Sequence, residues 1–236
     1  MNRLQSELHR LYLPGTALGS GPGAEAASLV DARGMTRAMV LEIAGSAGWE
    51  AVARVWRGCQ LDLELPAPAI AVSGADGFQL WFSLAEPVSL PEAHAFLQSI
   101  RMRYLTEVGA RHVRVMPAAD ASSPNGAAHA AMVPAAQAQE DRWSAFVAPD
   151  LAPLFSEAPW LDIAPGIDGQ ADLLCRLGSI GRQEFEAASA RLRPASPPAP
   201  EVAAAAAGDG AAGLDPRSFL LQVMRDDTVA LALRIE

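Results

Sequence analysis

Apolar positions recur along this chain in two periods, and the switches between them mark out its elements. Leu4, Leu8, Leu11 and Tyr12 fall on one side of a helix that Pro14-Gly15 stops, so a short amphipathic helix is expected over residues 3–12. Ala38-Met39-Val40-Leu41-Glu42-Ile43 is a short apolar run between Gly34 and Gly45, the pattern of a buried strand carrying one carboxylate. Ser46 is placed to cap a helix running to about Gly58, with Val52, Val55 and Trp56 on one face. Gln60 to Leu65 reads as a second strand or a loop, closed by Pro66 and Pro68.

Val72 ends another apolar run, and Ser73-Gly74-Ala75-Asp76-Gly77 then makes a glycine-assisted turn. The turn leads into Phe78-Gln79-Leu80-Trp81-Phe82, where Gln79 and Trp81 share one face and Leu80 and Phe82 the other. Taken alone, this stretch is a hairpin. Ser89-Leu90-Pro91-Glu92 is a capping box with proline in the first turn, and Phe96, Leu97, Ile100, Tyr104 and Val108 line one face of the helix it opens, up to Gly109. His112 to Met116 is a further strand, ended by Pro117. Strand, helix, strand pair, helix, strand predicts an α/β or α+β core, a mixed sheet flanked by helices.

Residues 118–140 are rich in Ala, Gly and Ser and read as a surface excursion. A second ordered block runs from Trp143 to about Arg193, and its Phe146, Leu151, Leu154, Phe155, Trp160, Leu161 and Ile163 are expected to pack on the first block. This gives a domain over 1–193, a Pro/Ala/Gly linker over 194–213 and a helical segment over 214–236. Phe219, Leu220, Val223 and Met224 lie on one side of that last segment, which is either a plain helical appendage or a docking element for a protein partner.

Composition narrows the chemistry. The net charge of -9 argues against a protein that coats nucleic acid non-specifically, because phosphate binding needs a positive surface. All 18 basic residues are arginine, and Arg101, Arg103, Arg111 and Arg114 stand against Glu107 alone, a cluster that reads either as a solvated face or as a phosphate-facing one. Cys59 and Cys175 are too few for a disulfide framework or zinc site and read as two buried small hydrophobes. His9, His94, His112 and His129 show no ligand spacing, so no metal site is expected from them. No run reaches the length of a membrane span and the first residues lack the order of a leader, so the expectation is a cytoplasmic protein with no membrane contact.

An acidic strand, a helix, a Ser-Gly-x-x-Gly turn with its aromatic-polar-aliphatic-aromatic strand, a helix and a further strand together resemble the archaeo-eukaryotic primase superfamily, which includes bacterial and phage primase-polymerases. The likeness covers roughly residues 38–117 and continues more loosely through Leu177. In that family, three motifs converge on a nucleoside triphosphate and divalent metals: a strand with two acidic residues one apart, a Ser-Gly-x-x-Gly-x-His turn and strand, and an acidic residue on a later strand. Carried over position by position, Glu42 matches the first acid but Ala44 stands at the second. Ser73, Gly74 and Gly77 match the turn but Gln79 replaces its histidine, and Arg114 stands where the last acid is expected.

The resemblance therefore implies a primase-polymerase-like domain that has lost nucleotidyl transfer and binds nucleotide or nucleic acid in DNA replication or a mobile element. Glu42 would be a catalytic remnant. Ser73, Gly74, Gly77, Gln79 and Arg114 would face nucleotide phosphates, and Arg101, Arg103 and Arg111 nucleic acid. An active alternative pairs Glu42 with Asp62 or Glu64 around Mg²⁺ or Mn²⁺. Only eight residues separate Glu64 from Ser73, too few for the intervening helix, so the Asp62/Glu64 pair reads rather as a solvated strand edge. A third reading makes the chain a non-catalytic adaptor acting through residues 214–236.

Overall fold

The computed structural model describes residues 2–14, 29–45, 48–118, 130–137 and 141–193. The chain divides into a unit Met1–Pro194 and a unit Ala195–Glu236, and every described residue belongs to the first. The Ser46 cap, the linker over 194–213 and the segment over 214–236 lie outside the described residues.

The fold is α+β, built on a six-stranded sheet in the order β4-β1-β3-β2-β6-β5. Its strands are β1 (Met35–Ala44), β2 (Ala69–Val72), β3 (Gly77–Ser89), β4 (Val113–Met116), β5 (Ala135–Ala136) and β6 (Trp143–Val147). The helices are α1 (Arg3–Leu11), α2 (Gly48–Leu61), α3 (Leu90–Tyr104), α4 (Ile167–Leu174) and α5 (Arg182–Leu192). β1, α2, β2, β3, α3 and β4 form a split β-α-β-β-α-β unit in which β1 and β3 are central. All pairings between these named strands are antiparallel, where a mixed sheet was expected.

Alternation along the central strands sets two cores. Met39, Leu41 and Ile43 of β1 with Phe78, Leu80 and Phe82 of β3 pack under α2, α3 and α5. Ala38 and Val40 with Trp81 face the other way, onto Leu4, Leu8, Leu11 and Tyr12 of the N-terminal segment, Phe146 of β6 and Ala171 and Leu174 of α4. The period of two thus places Glu42 and Gln79 on the α1/α4 side. Arg37 fastens α1 to the sheet by donating Nε to the Leu84 carbonyl and Nη2 to the Arg10 carbonyl.

Several expectations need correction. Of the strand or loop expected over Gln60 to Leu65, the loop holds from Asp62 on and the strand does not form: α2 runs to Leu61 and Glu64 takes a positive φ of 57°. The alternation of Leu61, Leu63 and Leu65 with Asp62 and Glu64 mimics a strand while only Leu63 and Leu65 are buried. The excursion over 118–140 contains β5, which pairs with β6. Leu154 and Ile163 are 78% and 75% exposed and Leu151 is half-exposed, so these three do not pack on the first block as Phe146 does. Cys59 is buried as expected, but Cys175 is exposed.

Candidate functional site

Register brings together three residues far apart in sequence. Glu42 on β1 faces Arg114 on β4 and Gln79 on β3. The Gln79 amide donates Nε2–H to Glu42 Oε2 at 2.8 Å, and the Arg114 guanidinium lies 3.4 Å from Glu42 Oε1. Trp81, two residues along the same face, donates its indole N–H to Gln79 Oε1 at 2.9 Å. The row reads Trp81 to Gln79 to Glu42, with Arg114 closing it. Its depth falls off sideways: Trp81 and Gln79 are buried, the Glu42 side chain is 13% exposed and that of Arg114 69%.

Both carboxylate oxygens of Glu42 are therefore engaged, one by an amide and one by a fixed cation. Tyr12, Trp81 and Phe146 wall the buried end, with the Tyr12 ring edge-on to Trp81 at 5.2 Å and Trp81 edge-on to Phe146 at 5.9 Å. Burial holds the Tyr12 hydroxyl above its ordinary range, and among the described residues its oxygen has no hydrogen-bond partner.

The Ser-Gly-x-x-Gly turn serves the fold directly. Ser73 Oγ accepts from the Ala75 and Gly77 amides at 3.2 and 3.1 Å, and the Ser73 amide donates to the Gly77 carbonyl at 2.8 Å. The Gly74 amide donates to the Pro159 carbonyl at 3.0 Å. Gly74 has a φ of 80°, and a Cβ there would sit 2.8 Å from Gln137 Cγ and from the Ser144 amide. A Cβ on Gly77 would run into the Ile43 carbonyl oxygen. Both glycines are explained by close backbone approach, and four amides of the turn are already spent. Of the residues assigned to nucleotide phosphates, Arg114 presents a cation to solvent, while Gln79 and the turn point their donors inward.

The arginine cluster divides. Arg103 belongs to the helical layer: it lies 3.9 Å from Asp62, donates to the Arg191 carbonyl at 3.2 Å and sits over the Tyr104 ring. Arg101 donates to Gln98 on its own helix. Arg111, just before β4, donates Nε–H to His112 Nε2 at 2.9 Å. The His112 ring reaches Gly45 at the end of β1, where an added Cβ would meet its Nδ1 at 3.1 Å. Arg111 thus sits on the turn that leads into β4, by the Gly45 end of β1, and Arg114 on β4 itself.

Asp62 and Glu64 do not join Glu42. Asp62 accepts the Tyr104 hydroxyl at 3.0 Å and Glu64 pairs with Arg191 at 2.9 Å, both among α2, α3 and α5 on the opposite side of the sheet. They are ion-paired helix-layer residues and not a strand edge. Burial and the Asp62 carboxylate push the Tyr104 hydroxyl up to about 12.

The residues present do not fit the divalent cations of the resembled family. A two-metal centre needs several carboxylates around one point, and here Glu42 stands alone between an amide and a guanidinium. Among the described residues, no group of three or more His, Cys, Asp or Glu side chains could hold a metal ion, and no helix is long and apolar enough to cross a membrane.

One surface feature beside the turn went unread in the sequence. The Arg142 guanidinium lies over the Trp160 ring, its central carbon 3.7 Å from the centroid, and the Trp160 indole donates to Asp162 at 3.2 Å. Trp160 reads as a core residue by type, and its 18-residue separation from Arg142 has no local period to betray the pair. No protein-family model matches this chain, and no curated protein matches it in sequence.

Proposed function

We propose that this protein is a primase-polymerase-like domain that binds nucleotide or nucleic acid and does not transfer nucleotidyl groups. The observation that carries the reading is the row across β4, β1 and β3: positions 42, 79 and 114, which correspond to three separate motifs although only Glu42 keeps the family's residue type, meet side by side with Glu42 bonded to both neighbours. β1 lies between β3 and β4, and the shared register line of these three positions supports the reading.

The same row argues against catalysis. Nucleotidyl transfer by metals needs carboxylates that bridge two cations about 4 Å apart and activate a hydroxyl between them. A guanidinium, permanently protonated, neutralises Glu42 without offering a coordination site. Arg114 instead gives the site an exposed cation at its outer edge, and Arg111 stands on the turn that leads into the same strand. Such a pair attracts phosphate oxygens with charge and directed N–H groups together.

The test is binding in the presence of a chelator. A labelled oligothymidylate or a nucleoside triphosphate should bind with affinity that falls as salt rises, and Arg114→Ala and Arg111→Ala should each weaken it several-fold. Absence of binding by the intact chain, or binding indifferent to both substitutions, would contradict the proposal.

A further inference from the structure

We infer that the Arg142–Trp160 stack is a base-stacking subsite for single-stranded nucleic acid, lying on one path with the Arg111/Arg114 flank; this rests on the reading just proposed. The connection runs along the end of the sheet. Arg111 bonds His112, whose ring abuts Gly45; the Gly45 amide donates to the Asp76 carbonyl; and the Gly74 amide of the same turn donates to Pro159, the neighbour of Trp160. Leu161 exchanges backbone bonds with Trp143 at the start of β6, on the side where β2 ends. Trp160 thus stands in the β2 column and Arg114 in the β4 column, three strand spacings apart in the order β4-β1-β3-β2.

Three spacings make about 14 Å across the sheet, and Trp160 lies a further two to three residues along the strands from the Arg114–Glu42–Gln79–Ala71 line, which brings the separation to about 16–17 Å. At about 3.4 Å per stacked nucleotide, this separation corresponds to roughly five nucleotides. A free mononucleotide cannot hold both ends, whereas a single strand reaches from a phosphate at Arg114 to a base at Trp160. The chemistry of the far end suits a base: a half-buried indole with a guanidinium carbon 3.7 Å from its ring centroid and its N–H bonded to Asp162 is an aromatic platform of the kind that unpaired bases stack on. Asp76 and Asp162 add negative charge along the path, so phosphate contact is concentrated at the β4 flank and stacking carries the other end.

The experiment measures fluorescence anisotropy of a labelled oligothymidylate of about ten nucleotides, with the triphosphate dTTP and a duplex of the same length as competitors. The full chain is used, and circular dichroism confirms the fold of each variant. Trp160→Leu should weaken oligonucleotide binding about tenfold and Trp160→Phe should restore most of it. Neither should alter the affinity for dTTP, while Arg114→Ala weakens both ligands. Equal oligonucleotide affinity for wild type and Trp160→Leu, or a duplex that competes as well as the single strand, overturns the subsite and leaves the proposed function standing. Failure of the wild type to bind either ligand overturns both.

Discussion

Replacing Gln79 by leucine separates the row's contribution to folding from any ligand. Gln79 is 7% exposed and gives the Trp81 indole its acceptor at 2.9 Å. Leucine is close in size but has no oxygen, so a fully buried N–H loses its partner at a cost of about 1–3 kcal/mol. Glu42 loses a donor at 2.8 Å and keeps Arg114, which adds about 1 kcal/mol, while the extra apolar surface of leucine returns about as much. The net expectation is destabilisation by about 2 kcal/mol. Urea unfolding followed by far-ultraviolet circular dichroism reads it, with an unchanged dependence on urea as the sign that both end states are preserved. Trp81→Phe removes the other partner, and the double variant should recover about 1 kcal/mol of the summed losses. Strictly additive losses, or a Gln79→Leu effect below about 0.5 kcal/mol, would refute the claim that the row is a coupled hydrogen-bond chain. Arg114→Ala, at the exposed end, should cost under about 1 kcal/mol in the same assay.

Other positions respond in ways the geometry separates. Both tyrosines of the chain sit above the usual pKa of 10.0, Tyr104 at about 12 and Tyr12 higher still, so tyrosinate absorbance should show no titration near pH 10 in the folded protein. Because the unfolded chain ionises first, stability should fall as pH rises from 10.0 towards about 12, and a tyrosine titrating at its ordinary value would contradict this. Burial pushes the Cys59 thiol up to about 12 while Cys175 is exposed, so a thiol reagent should label Cys175 promptly and Cys59 only on unfolding, as peptide mapping would resolve. Gly77→Ala drives a Cβ into the Ile43 carbonyl and should cost about 1–3 kcal/mol, whereas Gly169→Ala on α4 meets nothing within 4 Å and should stabilise by about 0.5–1 kcal/mol in urea unfolding.

How much of this was legible in the chain depended on what carries each signal. The capping box at Ser89 and Glu92 and the apolar alternation of β3 are local, and both stand where the pattern put them. The Asp62-Leu63-Glu64 alternation misled because a helix C-terminus and its exit loop can copy a period of two over five residues. The side-by-side placement of Glu42, Gln79 and Arg114 depends on register, which local pattern constrains only through which face is buried. What escaped entirely was the engagement of the Gly74 amide by Pro159 and the Arg142–Trp160 stack, because both join segments brought together by β6 and its following loop.

The central claim is a site that binds without transferring, and primer extension tests it most directly. With a primed template, deoxynucleoside triphosphates and Mg²⁺ or Mn²⁺, the account predicts that the protein shifts the labelled DNA and yields no lengthened product, with or without Glu42. Template-directed extension by the wild type that disappears in Glu42→Ala would contradict it.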